Sequence, residues 1–221
     1  MSRKYIVVEG NIGSGKTEFL NMLPRYFTNE VESSTIPSFD DPIYLCLARE
    51  NEICKCSNAS IFLMEGSNQT DISCLLQVYK DMGRVSFQKE NIIRKFMSER
   101  EKRFPKPDAI IYIQCSVDTC WERLISRTPS TPWTYPDIER LNDIYEDHIR
   151  NVGDTPVIVI NGDPEFSGDE VRQQEIIATL SSSLEYLAYF IKNDDDVDGW
   201  QVVQHKKKSI SRKGNPWIQS V

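Results

Sequence analysis

The string Gly10-Asn11-Ile12-Gly13-Ser14-Gly15-Lys16-Thr17 constrains this chain more than any other feature. It is a full match to G-x-x-x-x-G-K-[ST], a pattern that arises by chance in roughly one chain of this length per hundred at usual glycine frequencies. An apolar run, Tyr5 to Val8, stands directly before it, and a helical pattern opens at Lys16. Strand, glycine loop and helix in that order let backbone N–H groups converge on phosphate oxygens, with the positive end of a helix dipole behind them. The expected nucleotide-holding residues are Gly10, Asn11, Gly13, Ser14, Gly15, Lys16 and Thr17. Lys16 would bridge the terminal phosphates and Thr17 would ligate Mg²⁺. No guanine-reading N-K-x-D is present, which argues against a switch GTPase; compactness and the Gly-x-x-Gly-Ser-Gly-Lys form favour a kinase of nucleosides or nucleotides.

The rest of the chain supplies the setting such a loop needs. Lys4 to Glu9, Ser60 to Glu65, Ala109 to Gln114 and Pro156 to Ile160 read as short buried strands, and a weaker fifth lies around Glu30 to Thr35. Helical patterns fall between them at Lys16 to Phe27, Asp71 to Met82, Phe87 to Arg103, Val117 to Arg127, Pro136 to Asn151 and Gly168 to Lys192. Alternation of this kind predicts an α/β fold of the P-loop NTPase type, three layers α/β/α around a five-stranded parallel sheet. The domain is expected over residues 1–192, with 193–221 as an appended, flexible tail.

Composition narrows the function classes. The chain has 221 residues and a net charge of −7, but the last 18 carry five basic side chains and no acid, so the remainder stands at −12. General nucleic-acid binding is not expected of such a body. Every apolar run is far shorter than a membrane span, and the one at the N-terminus is too short for a secretory signal. Six cysteines show no paired C-x-x-C spacing and read as reduced thiols of a cytoplasmic protein; Cys54-Lys55-Cys56, without a second Cys/His pair, reads as a solvated loop.

Four blocks resemble the deoxynucleoside kinase family, the thymidine, deoxycytidine and deoxyguanosine kinase-like group. Glu9-Gly10-Asn11-Ile12-Gly13-Ser14-Gly15-Lys16 is similar to its E-G-N-I-G-S-G-K. Phe62-Leu63-Met64-Glu65-Gly66-Ser67 followed by Asp71 is similar to L-M-E-R-S-x-x-S-D-R. Pro107-Asp108 to Gln114, then Ser116, Cys120, Glu122-Arg123-Leu124 and Arg127, resembles a strand and the start of a lid. Pro156 to Ile160 with Asn161-Gly162-Asp163 to Phe166 resembles the turn that embraces adenine. The resemblance covers roughly residues 3 to 190. It implies transfer of the ATP γ-phosphate to a deoxynucleoside 5′-hydroxyl with Mg²⁺, a homodimer, and site roles for Lys16, Thr17, Glu65 and Arg127, with Asp163 and Phe166 at the nucleotide. Glu65 also makes independent sense as a metal-shell carboxylate, since it ends a strand beside the loop strand.

The departures lie on the acceptor side. Where the family has a T-E-P-like step carrying the catalytic carboxylate, this chain has Thr35-Ile36-Pro37, and Gly66 replaces the arginine of E-R-S. The second lid arginine gives way to the uncharged Thr128-Pro129-Ser130-Thr131-Pro132. The segment from Pro37 to Glu65 is about half the family's length. Three readings stay open: a shortened kinase using Asp40, Asp41 or Glu32 as base; a nucleotide-binding homologue that has lost transfer and acts as an interaction or regulatory protein; and a nucleoside monophosphate kinase, whose acceptor needs no strong base. In the tail, Trp200 with Lys206, Lys207 and Lys208 could dock a protein or anionic partner, serve as a nuclear localisation signal, or simply solubilise the terminus.

Overall fold

The computed structural model describes residues 3–27, 31–36, 41–55, 59–193 and 218–220. Five strands form a parallel sheet: β1 Lys4–Glu9, β2 Val31–Ser34, β3 Ile61–Glu65, β4 Ala109–Gln114 and β5 Val157–Asn161. A sixth strand, β6 Ile218–Ser220, pairs parallel with β5 at Val157 to Val159, giving the order β2-β3-β1-β4-β5-β6. The chain's last residues thus extend the sheet that the sequence predicted to have five strands. Asp40, Cys56, Trp200, Trp217, Lys206, Lys207 and Lys208 lie outside the described residues.

Strand alternation distributes the core between two faces. Ile6 and Val8 of β1 and Leu63 of β3 pack on α1 (Lys16–Met22) and α8 (Glu170–Asn193) through Phe19, Leu20, Ile176 and Leu180. Tyr5, Val7, Phe62 and Met64 face the opposite side. They meet α2 (Pro42–Lys55), α4 (Leu76–Asp81), α5 (Phe87–Glu101) and α7 (Tyr135–Arg150). Between β3 and α4 lie a single helical turn, α3 (Asn68–Thr70), and a π-helical segment, Asp71–Leu75. These layers are the ones the strand and helix alternation predicts.

Side-chain caps explain where the helices nearest the loop begin. Ser116 accepts the Thr119 N–H at the start of α6 (Val117–Arg127). Thr134 and Asp137 form a reciprocal capping box at α7, with Pro136 in the first turn. Trp133, just before that cap, is buried against Tyr79 with ring centroids 5.5 Å apart, and Arg84 lies over the indole while donating to Pro132 O at 2.9 Å. The uncharged run 128–132 is therefore anchored through its C-terminal neighbour.

Candidate active site

The loop leaves β1 at the C-terminal edge of the sheet, where parallel α/β folds place ligands. Gly13 and Gly15 hold φ of +83° and +99°, a region costly for other residues. Gly13 is required a second time by space, because a Cβ there would stand 2.2 Å from Cys120 O of α6. Lys16 Nζ donates to Gly10 O at 2.8 Å and to Asn11 O at 2.9 Å, which holds the ammonium across the loop. The side chain of Asn11 has a structural duty. Its buried amide donates to Ile138 O of α7 at 3.0 Å, and its oxygen accepts from Ile12 N, so the side chain ties the loop to the helix behind it. Ser14 is also fully buried.

Thr17 and Glu65 come together as expected: the hydroxyl donates to Glu65 Oε1 at 2.9 Å in a solvent-exposed position. The other carboxylate oxygen accepts from Ile36 N at 3.3 Å. Residue 36, where the resemblance calls for a carboxylate, is therefore beside Glu65 and presents a buried apolar side chain. Two hard oxygen ligands at the mouth of a phosphate loop suit a magnesium ion, which takes one or two protein oxygens and completes its shell with phosphate and water. Among the described residues no cluster of three His, Cys, Asp or Glu stands where it could hold a metal ion.

Sequence reasoning missed the groups on the other side of β3. Arg49 of α2 is buried and paired with Asp71, donates from Nε to Glu65 O at 3.1 Å, and reaches Asn68 Oδ1 at 3.4 Å. Gly66, at φ +65°, turns the chain beneath it, and a Cβ there would lie 2.8 Å from Arg49 Nη2. The guanidinium of α2 thus takes the space into which a side chain at residue 66 would project. Glu9, also missed, is fully buried; Oε1 accepts from Thr70 Oγ1 at 2.9 Å, and Oε2 has no hydrogen-bond partner. Burial pushes its carboxyl up to about 7, against the opposing pull of the Ser67 and Thr70 hydroxyls and of Arg49.

The lid residues are placed by neighbouring contacts. Arg127, at the end of α6, pairs with Glu18 in the first turn of α1 at 2.7 Å, so it sits beside the phosphate loop. Arg123 donates to Gly162 O at 2.8 Å and Asp163 O at 3.1 Å, pinning the turn after β5. Asp163 accepts from Ser116 N at 2.7 Å, and hydrogen bonding by Ser116 and Cys115 holds its carboxyl below the usual range despite partial burial. Phe166 is buried behind the loop, its ring 3.0 Å from where a Cβ on Gly15 would be.

Two of the candidate bases make structural contacts. Glu32 pairs with Arg3 at 3.0 Å and lies in register with Phe62, toward the N-terminal end of the sheet and away from the loop. Asp41 accepts from Ile43 N at 2.9 Å and caps the start of α2. Strand register thus sets Glu32 apart from the loop, and Asp41 serves as a helix cap.

Comparison with known proteins agrees with this architecture. The family model described as deoxynucleoside kinase matches residues 38–185, and the chain belongs to that family. The fowlpox virus (strain NVSL) protein named "Probable deoxycytidine kinase FPV151" is 23% identical over 206 residues, covering 81% of this chain and 87% of the relative. The structure of deoxyadenosine kinase from M. mycoides with bound dATP superposes with a TM-score of 0.64 at 19% identity, covering 80% of this chain and 99% of that one. Among the described residues no helix is long and apolar enough to cross a membrane.

Proposed function

We propose that the chain is an ATP-dependent deoxynucleoside kinase, with the triphosphate on the Gly10–Thr17 loop and the acceptor over the Glu65–Asp71 turn. The Thr17–Glu65 contact carries the reading, because it joins the loop to the strand end at an exposed position where a phosphate-bound ion is needed. The names of the relatives, deoxycytidine kinase and deoxyadenosine kinase, support a deoxynucleoside acceptor.

In this reading the loop N–H groups and Lys16 orient the phosphates in line with the attacking 5′-hydroxyl. Thr17, with Glu65 behind it, would hold a magnesium ion, which would supply charge neutralisation to the phosphates. Arg127 lies close enough to α1 to turn from Glu18 toward the transferring group. Phosphoryl transfer through a loose transition state makes a modest demand on a base, so positioning supplies most of the rate even with isoleucine at residue 36. The buried Arg49–Asp71 pair braces the turn over which the acceptor would lie.

Ile36 and Gly66 specifically favour a second reading, nucleotide binding without transfer, because together they remove a carboxylate and a cation. Purified protein with Mg-ATP and a panel of deoxynucleosides and their monophosphates decides between them. Turnover of a deoxynucleoside supports the kinase, and turnover of monophosphates alone redirects it to a monophosphate kinase. Saturable Mg-ATP binding with no turnover leaves only the binding reading.

A further inference from the structure

Glu9 is the residue immediately before the phosphate loop, yet its side chain belongs to a different part of the molecule. Strand alternation turns it away from the α1 face that carries Thr17 and Glu65 and toward the face covered by α2 and α7. There Oε1 accepts from Thr70 Oγ1 at 2.9 Å. Thr70 is half of a capping box: its N–H donates to Ser67 Oγ at 3.1 Å, and its hydroxyl accepts from Ser67 N at 3.3 Å. That box starts α3 directly after the Glu65-Gly66 turn. Arg49 of α2, Asp71 and Cys74 of the π-helical segment and Tyr145 of α7 are the other charged or titratable groups acting on the Glu9 carboxyl.

A fully buried carboxyl with one unpartnered oxygen is costly, and a hydrophobic residue at this point would avoid the cost. What the carboxyl supplies in return is a tie between two segments far apart in sequence: the strand end that opens into the loop on one side and the 66–71 turn on the other.

We propose that Glu9 is a positioning residue that couples the phosphate loop to the acceptor turn through the Ser67–Thr70 capping box. Occupancy of the loop by Mg-ATP is thereby felt at residues 67–73, which sets the distance between acceptor and γ-phosphate. This rests on the kinase reading for the nature of the acceptor, and on geometry alone for the coupling.

The test compares the full-length protein with Glu9→Met, which removes the acceptor at similar length, and Thr70→Val, which removes the donor. Amide hydrogen exchange is followed with and without Mg-ATP, alongside the ATP Kd and steady-state kinetics. Expected for the unsubstituted protein is slowed exchange across residues 67–73 on adding Mg-ATP. Both variants should bind Mg-ATP within about threefold of it but lose that protection, with kcat falling about tenfold or more and the double variant no worse than either single one. Protection that survives in both variants overturns the coupling whether or not turnover is seen. Unsubstituted protein that turns over a deoxynucleoside, with variants equal to it in protection and kcat, overturns the coupling and leaves the kinase reading standing. Failure of the unsubstituted protein to respond to Mg-ATP at all overturns both.

Discussion

Glu9 and Glu65 close two strands that lie side by side in the sheet, yet their carboxylates point to opposite faces. Val8 pairs with Glu65, so Glu9 falls one residue further on and alternation sends it the other way. Glu65 meets Thr17 on the exposed side of the loop, and Glu9 meets Thr70 in the interior. One acid is therefore placed to serve an ion, the other to be held away from water.

Glu65→Gln tests the first role. An amide retains the shape but not the charge, so the Mg²⁺ concentration needed for half-maximal rate should rise. The rate at saturation should fall about 10²-fold or more, as for loss of one preorganised electrostatic group. A magnesium titration of ATP turnover checks this, and an unchanged titration would remove Glu65 from the metal shell.

Glu9→Gln tests the second by stability. The folded-state carboxyl titrates at about 7, above the ordinary 4.5, so folding favours its protonated form. Stability from this group is complete below pH 4.5 and is lost as pH rises through 7. Thermal unfolding between pH 4.5 and 8 should show the unsubstituted protein losing ground to Glu9→Gln across that window. Parallel Tm curves would mean the carboxyl is not held protonated.

Arg49→Met should destabilise strongly. It leaves Asp71 buried without its cation, a situation that commonly costs about 3–5 kcal/mol. The double variant Arg49→Met with Asp71→Leu should recover much of the loss in chemical denaturation, because the penalty is that of an uncompensated charge.

Gly13→Ala should be worse than its size suggests. The added methyl meets the Cys120 carbonyl at 2.2 Å and also occupies a φ of +83°. The loop cannot keep its path beside α6, so ATP affinity should fall by more than about tenfold, with a stability cost of about 1–3 kcal/mol for the strained backbone. A calorimetric titration reads the first and thermal melting the second.

Much of this architecture is legible in the residues, and the exceptions have identifiable causes. β1 and β4 appear in the sequence at their observed limits, because fully buried parallel strands are continuous apolar runs bounded by turns. The Thr17–Glu65 pairing was also legible, since a motif fixes one partner and a strand end the other. Helix α2 was not. Its buried face is Pro42, Leu45, Cys46 and Arg49, helical in spacing but with an arginine where an apolar residue would signal burial. The charge is inside only because Asp71 meets it, and that partner belongs to a segment 22 residues later. Glu9 was hidden for a similar reason: it stands within the phosphate-loop block, while its contacts lie on the far face of the sheet. The end of the chain returned as β6, a three-residue pairing too short to leave a periodicity.

The central claim is that this loop binds Mg-ATP for transfer to a deoxynucleoside. Its most direct measurement is the rate of deoxynucleoside monophosphate formation from Mg-ATP by the full-length protein, beside Lys16→Ala prepared identically. The account predicts product from at least one deoxynucleoside, and a loss of about 10²-fold or more in Lys16→Ala, which lacks the cation that orients the phosphates. No product from any deoxynucleoside at saturating Mg-ATP, or equal rates from the two proteins, would contradict it.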